Sequence, residues 1–270
     1  MKRINKNSMR RLLKEARTKR KIKLFVYIAL RALVFISMLS QAYQHNWNNV
    51  ALCILTLVLF TVPGIISKQF NIKFPETLEI IVYLFIFSAE ILGEIQNFYN
   101  LFEHWDTILH TINGFLCGAI GFSLVDILNH NEDHQIHMSP SFAALVAFSF
   151  SMTVGVLWEF GEYTVDHYLL KDMQKDKIVE NFQSIKVNPE GVNIPVIIND
   201  IERTEIYYNN GNVIKIDGGY LDIGLNDTMK DLIVNFIGAF VFSIFGYLYV
   251  KNREGYKFLE IILPRKKVEE

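Results

Sequence analysis

Carboxylates and one histidine recur at three- and four-residue spacing inside apolar stretches of this chain: Glu90 and Glu94, Asp106 and His110, Glu159 and Glu162, then Asp227, Asp231 and Asn235. Residues so spaced share one face of a helix, and a four-residue step advances about 6 Å along its axis. Such groups can ligate a divalent cation, move protons as general acids or bases, or carry ions across a membrane. Each charge placed at the centre of a membrane helix costs about 2.5 to 3.5 kcal/mol on insertion scales, so residues of this kind mark a site. Glu94, His110, Glu159 and Asp231 are the candidate catalytic groups. All nine residues, from Glu90 to Asn235, are candidate metal ligands.

Electrostatics narrows the chemistry. The carboxylates face only His110 and the marginal Lys230, with no arginine among them. Either several acids are protonated, their pKa values raised by desolvation and mutual repulsion, or a divalent cation balances them. Oxygen ligands with a single imidazole suit Zn²⁺, Mn²⁺ or Mg²⁺ better than copper. No thiolate is in reach, because Cys53 and Cys117 lie in separate apolar segments and read as small core residues. Asp106 and Asp227 can also cap helix starts, and Thr228-x-x-Asp231 resembles a capping box. Capping does not account for Glu94, Glu159 or Glu162, which sit at helix C-terminal ends where the macrodipole disfavours anions.

The elements that must position these groups are apolar helices. The chain is 51% hydrophobic and 20% charged, with a mean hydropathy of +0.21, and the charges concentrate in the termini and one long loop. Six stretches of roughly 20 residues can each cross about 30 Å of hydrocarbon: Leu24 to Tyr43, Trp47 to Ser67, Leu78 to Phe98, Thr107 to Leu128, Phe142 to Tyr163 and Met229 to Val250. The expected fold is an all-α membrane protein, a bundle of six transmembrane helices. Residues 1–23 are dense in Lys and Arg against the single acid Glu15, which places them in the cytoplasm by the positive-inside rule. Lys68, Lys73 and the basic tail at 251–270 fall on the same side, so both termini are expected in the cytoplasm of a multi-pass cell-membrane protein. Ser40-Gln41-Ala42 mimics a signal-peptidase site, but Arg31 interrupts the run before it and an uncleaved helix is expected, with Arg31 snorkelling toward headgroups.

Residues 24–163 then hold helices one to five, 227–250 the sixth, and 164–226 an extracytoplasmic, β-rich flap between the fifth and sixth spans. Val196 to Ile198, Ile206 to Tyr208 and Val213 to Ile216 read as strands, the last two joined by a turn at Asn209-Asn210-Gly211-Asn212. Spans three and five run outward and four and six inward, so the site residues share the outer half of the membrane. Gly93-Glu94 followed by Asp106-Thr107 is echoed by Gly161-Glu162 followed by Asp227-Thr228, the outline of a degenerate direct repeat.

Asp106-Thr107-Ile108-Leu109-His110 with Asn113-Gly114, then Trp158-Glu159-Phe160-Gly161-Glu162, then Asp227-Thr228-Met229-Lys230-Asp231-Leu232 with Asn235 and Gly238, resembles the signature of VanZ-like proteins and of YjdF-type multi-pass bacterial membrane proteins. The resemblance covers the third to sixth spans. VanZ-like chains typically carry an arginine before the last acidic pair, and none lies here between Asp217 and Asp227. The resemblance implies a bacterial cell-envelope protein and, for VanZ-like members, a link to glycopeptide resistance.

Two function classes stand. One is a membrane-embedded, metal-dependent hydrolase or transferase acting on a lipid or lipid-linked envelope precursor in the outer leaflet. The other is a proton- or cation-coupled transporter, or a small-molecule binding protein, using the same acids. Membrane lipids are the expected partners of the basic N-terminus, and nucleic acid is not. A transporter needs polar groups continuing inward: Asp126, His130, Glu132, Asp133, His134 and His137 offer an inner end, but Phe115 to Val125 is polar only at Ser123.

Overall fold

The computed structural model describes residues 6–129 and 138–267, so, of the inner polar set, His130, Glu132, Asp133, His134 and His137 lie outside the described residues. The chain divides into two units, Met1–Val154 with Val234–Glu270, and Gly155–Ile233. Both boundaries fall inside long helices rather than at the ends of the flap.

The larger unit is helical. Helix α1 (Lys6–Tyr43) continues unbroken from the basic N-terminal stretch through the first apolar run. α2 (Trp47–Leu59) and α3 (Val62–Gln69) share the second run, and Pro63 sits in the first turn of α3, where a missing N–H costs nothing. Strand β1 (Ile72–Lys73) leads into α4 (Glu76–Phe87). α4 passes directly into a π-helical segment, Ser88–Ile95, followed by the short α5 (Phe98–Leu101). α6 (Trp105–Asn129), α7 (Pro140–Leu169) and α8 (Leu225–Lys251) complete the set.

Among the described residues, five helical stretches are long and apolar enough to cross a membrane: Lys14–Tyr43, Trp47–Gln69, Trp105–Asn129, Pro140–Leu169 and Leu225–Lys251. The expected third span, Leu78 to Phe98, is built from a 12-residue α-helix that widens into eight π-helical residues carrying Glu90 and Glu94. Hydropathy sees apolar length and is blind to this change of winding. π-helical turns are rare and concentrate at functional sites.

Two apolar clusters fill this unit. Leu30, Val34, Cys53, Phe60 and Tyr83 join α1, α2 and α4. Ala119, Phe122, Ala147, Phe242 and Tyr249 join α6, α7 and α8, and the C-terminal segment closes it with Leu259, Ile262 and Leu263. Beyond the 3₁₀ turn Lys257–Ile261, strand β8 (Arg265–Lys266) pairs antiparallel with β1. Arg31 reaches back one turn to Tyr27, its guanidinium 5.2 Å from the ring centre.

The smaller unit holds the flap. Its strands are β2 (Lys177–Val179), β3 (Phe182–Ser184), β4 (Val196–Ile198), β5 (Arg203–Tyr208), β6 (Asn212–Asp217) and β7 (Tyr220–Asp222). They pair antiparallel as β2–β7, β3–β4 and β5–β6. In the hairpin, Tyr208 faces Asn212, and Asn209, Asn210 and Gly211 all take positive φ, the conformation these residue types tolerate. Arg203 pairs with Asp217 across it, and Lys215 with Glu205.

The flap also gathers acids. Partial burial, with Asp172, Asp166 and Asp222 nearby, holds the Asp176 carboxyl above the usual range for aspartate. An acid whose pKa is raised on folding opposes folding while it is ionised, and the opposition fades as pH falls through the raised value. Asp176→Asn should therefore slow hydrogen exchange of the 173–177 backbone at pH 7, and the difference from wild type should shrink toward pH 4.

Candidate functional site

Helices α6 and α8 run parallel and touch through their backbones. An added Cβ at Gly114 would run into the carbonyl oxygen of Asn235, and one at Gly238 into the carbonyl oxygen of Thr111. Small residues permit this approach, as they do between membrane helices generally. Further along, Gly118 lies on Phe242 and Gly246 on Phe122, so the register holds for about two more turns. α7 runs antiparallel to α6: Ser151 lies beside Gly114, and Met138 beside Asn129.

At the closest approach the three helices share a polar layer. Asn113 Nδ2 donates to Asn235 Oδ1 at 3.2 Å, Asn235 Nδ2 donates to the Ser151 carbonyl at 3.4 Å, and Ser151 Oγ donates to the Gly114 carbonyl at 2.7 Å. Asn235 is completely buried. On the far side of this layer from His110, the rings of Phe115, Phe242, Phe122 and Tyr249 follow one another at centroid separations of 5.1, 6.0 and 6.1 Å. Aromatic side chains fill the bundle there.

From the polar layer each helix carries ionisable groups toward one end. On α6, His110 is one turn from Asn113 and Asp106 a turn further; His110 Nε2 lies 3.4 Å from Asp106 Oδ1, and both side chains are largely buried. On α7 the buried positions step by fours from Ala143 through Ala147, Ser151 and Gly155 to Glu159, with Glu162 next. Glu159 is 4% exposed and Glu162 accepts a 2.8 Å hydrogen bond from Trp158 Nε1. On α8 the buried face runs Asp227, Asp231, Asn235, Gly238, and Asp231 is 1% exposed. The Trp105 indole donates to the Ser88 carbonyl at the start of the π-helical segment, tying it to the head of α6. In that segment Glu90 is half-buried and Glu94 exposed.

Asp227 differs from the others. One carboxylate oxygen accepts from Lys175 N–H at 2.9 Å and the other from Lys177 Nζ at 2.7 Å, in the first turn of α8. Asp166 accepts from the N–H groups of Met173 and Gln174, and Gln174 donates to Thr228 Oγ1. These bonds tie the end of α7, the 171–177 loop and the head of α8 together within the smaller unit. Asp227 serves the helix start.

The profile of the family described as "Predicted membrane protein (DUF2238)" matches residues 22–252. The chain belongs to the DUF2238 family of predicted membrane proteins. An "Uncharacterized protein" of Thermotoga maritima is similar at 29% identity over 107 residues, which cover 40% of this chain and 53% of the relative. The chain spans about half the length of that relative. No solved structure matches. The match makes this DUF2238 member a predicted membrane protein and gives it no VanZ-like or YjdF-type name.

Sequence reasoning missed two polar contributors in the DUF2238 chain. Ser151 reads as an ordinary small core residue, although it stands eight residues before Glu159 on the same face. Lys177 supplies the cation that the acids seemed to lack, and it reaches Asp227 only because β2 pairs with β7 directly before α8. Replacing Asn235 with Leu strips Asn113 of an acceptor and the Ser151 carbonyl of a donor. Unpaired buried groups of this kind cost about 1 to 3 kcal/mol. The variant should melt measurably below wild type in detergent, whereas Asn100→Leu, exposed on the short helix α5, should not.

Proposed function

We propose that Asp106, His110 and Asp231 together hold one divalent cation, and that the chain is a metal-dependent membrane enzyme acting on a lipid or lipid-linked precursor of the cell envelope. The parallel register of α6 and α8 supports the shared site. It is set at Gly114 against Asn235 and at Gly238 against Thr111, and α8 is one continuous helix through Asp231. Stepping back one turn along each helix takes Asn113 to His110 and Asn235 to Asp231. Two carboxylates and an imidazole make an oxygen-rich donor set suited to Zn²⁺ or Mn²⁺. Both oxygens of Asp227 already have partners, so it is left out of the set.

The observation that carries the enzyme reading is the floor beneath these groups. Among the described residues, the polar side chains buried on α6 and α8 below the Asn113, Ser151 and Asn235 layer are Ser123 and Ser243, each donating back to a carbonyl of its own helix, and aromatic rings pack around them. Asp126, which could have continued a polar path, is paired with Arg253. Polar groups closed off on one side by apolar packing suit a reaction, and a transporter needs a way through. A bound cation would supply Lewis acidity. Glu159, two turns along α7 from Ser151, is the residue we assign to take a proton from the attacking water, and His110 orients and holds.

The same reading keeps six crossings, counting α4 with its π-helical continuation, with the flap in the outer compartment and both termini in the cytoplasm. Arg253, Arg265 and Lys267 support this, because they gather at the end of the larger unit away from His110. The resemblance of the Asp-x-x-x-His and Trp-Glu-x-x-Glu motifs to VanZ-like and YjdF-type chains supports a cell-envelope role.

The test is metal analysis of purified protein beside the His110→Ala, Glu159→Gln double variant. About one Zn²⁺ or Mn²⁺ per wild-type chain and almost none in the variant is the expected result. Equal, negligible metal in both would remove the cation and leave proton chemistry among the acids.

A further inference from the structure

A second site lies at the opposite end of the larger unit, where α1, β1, the start of α4 and the C-terminal segment enclose a pocket of ≈ 430 Å³. Its charged lining is Lys19, Lys73, Glu76, Lys257, Glu260 and Arg265. Glu260 is taken by Arg265 at 2.7 Å. Among the described residues, Lys19, Lys73 and Lys257 make no ion pair, which leaves three ammonium groups against the single carboxylate of Glu76. The volume falls in the range of small-ligand pockets, about 300 to 1,000 Å³.

The backbone adds to the charge. Helix α4 opens here, with Pro75 at its N-cap position and no side chain capping its first turn. Those N–H groups and the positive end of the helix dipole favour an anion. The helix runs on through 12 α-helical and eight π-helical residues, so its dipole is that of a long element. Four elements, two of them from opposite ends of the chain, thus converge on one cationic cavity.

Depth identifies the anion. Lys23 pairs with Glu79 one turn beyond Lys19 and Glu76, and the apolar run of α1 begins at the next residue, Leu24. The pocket therefore stands at the edge of the apolar layer, where lipid phosphates lie. Exposed apolar side chains adjoin its lining: Ile261 lines the pocket itself, Phe258 follows Lys257 in sequence, and Phe25, two residues past Lys23, is 73% exposed. Cations beside bare apolar side chains match the two halves of a phospholipid, and basic pockets between membrane helices are the usual receptors for anionic headgroups.

We propose that this pocket binds the phosphate of an anionic membrane lipid, with Lys19, Lys73 and Lys257 as its counter-ions, the first turn of α4 as its hydrogen-bond donor, and Phe25, Phe258 and Ile261 against the acyl chains. The assignment is independent of the site on α6 and α8.

The full chain, purified in detergent, is titrated with phosphatidylglycerol, phosphatidylcholine and inorganic phosphate, and bound lipid is counted by native mass spectrometry alongside the thermal midpoint. Wild type should retain one phosphatidylglycerol in at least tenfold preference to phosphatidylcholine. Lys73→Gln with Lys257→Gln should abolish the preference. Lys73→Arg with Lys257→Arg should keep it, as should the charge-matched flap control Lys171→Gln with Lys186→Gln. If inorganic phosphate alone raises the wild-type midpoint as far as the lipid does, and leaves the Gln variant unmoved, the anion site stands with soluble phosphate as its occupant. Equal phosphatidylglycerol retention by wild type and a monodisperse Gln variant would overturn the proposal.

Discussion

His110→Ala should weaken Zn²⁺ or Mn²⁺ binding by about 100-fold or more, while Glu94→Gln leaves it within about twofold of wild type. Changing a hydrogen-bond partner of a metal ligand typically costs 10- to 100-fold in affinity, and removing a ligand itself costs more. His110 is the only imidazole in the proposed set, and it is largely buried beside Asp106. Glu94 is exposed on the π-helical segment. Asp231→Asn should behave as His110→Ala does, because the amide keeps the shape and loses the charge. Competition with a chromophoric chelator on the purified variants reads all three affinities. Equal losses at His110 and Glu94 would mean that the acids act as a diffuse field, with no discrete ligand set.

The second large effect is structural. Gly114→Val or Gly238→Val should prevent recovery of monodisperse protein from detergent extracts. At both positions the atoms in the way are main-chain carbonyls on the facing helix, which cannot swing aside as a side chain would. Overpacking a core costs about 1 to 3 kcal/mol when neighbours can adjust. Here the helices must separate, which also breaks the Asn113 to Asn235 hydrogen bond. Gly161→Ala provides the contrast, since nothing lies within 4 Å of its Cβ position. In a helix interior it should raise the melting temperature slightly, because alanine is favoured over glycine by roughly 1 kcal/mol. Gel filtration with fluorescence detection, scanned over temperature, separates these outcomes.

These contrasts show what could be read from residues alone. Three- and four-residue spacing marked Asp106 with His110, Glu159 with Glu162, and Asp231 with Asn235, because helical periodicity is a local property of the sequence. The Asn209 to Gly211 hairpin was equally legible through residue types that accept positive φ. Strands β2 and β7 were not: each has three residues, and they pair across some 40 positions of sequence, so nothing local announces them. The polar floor at Ser151 was hidden for a similar reason. A serine among alanines and phenylalanines has no signature until a carbonyl on another helix comes within 2.7 Å. The winding of Ser88–Ile95 escaped because apolar content cannot distinguish bonding to the fourth residue from bonding to the fifth.

That winding has a consequence for how the chain tolerates change in length. A wide turn holds more residues per revolution than its neighbours, so it can give one up and close to ordinary pitch without leaving a gap. Elsewhere in the bundle, a one-residue deletion would swivel everything beyond it by about 100° and turn buried faces toward lipid. Between Ser88 and Ile95 the spare residue can absorb the loss. This stretch is the natural place for shortened versions of the protein to survive.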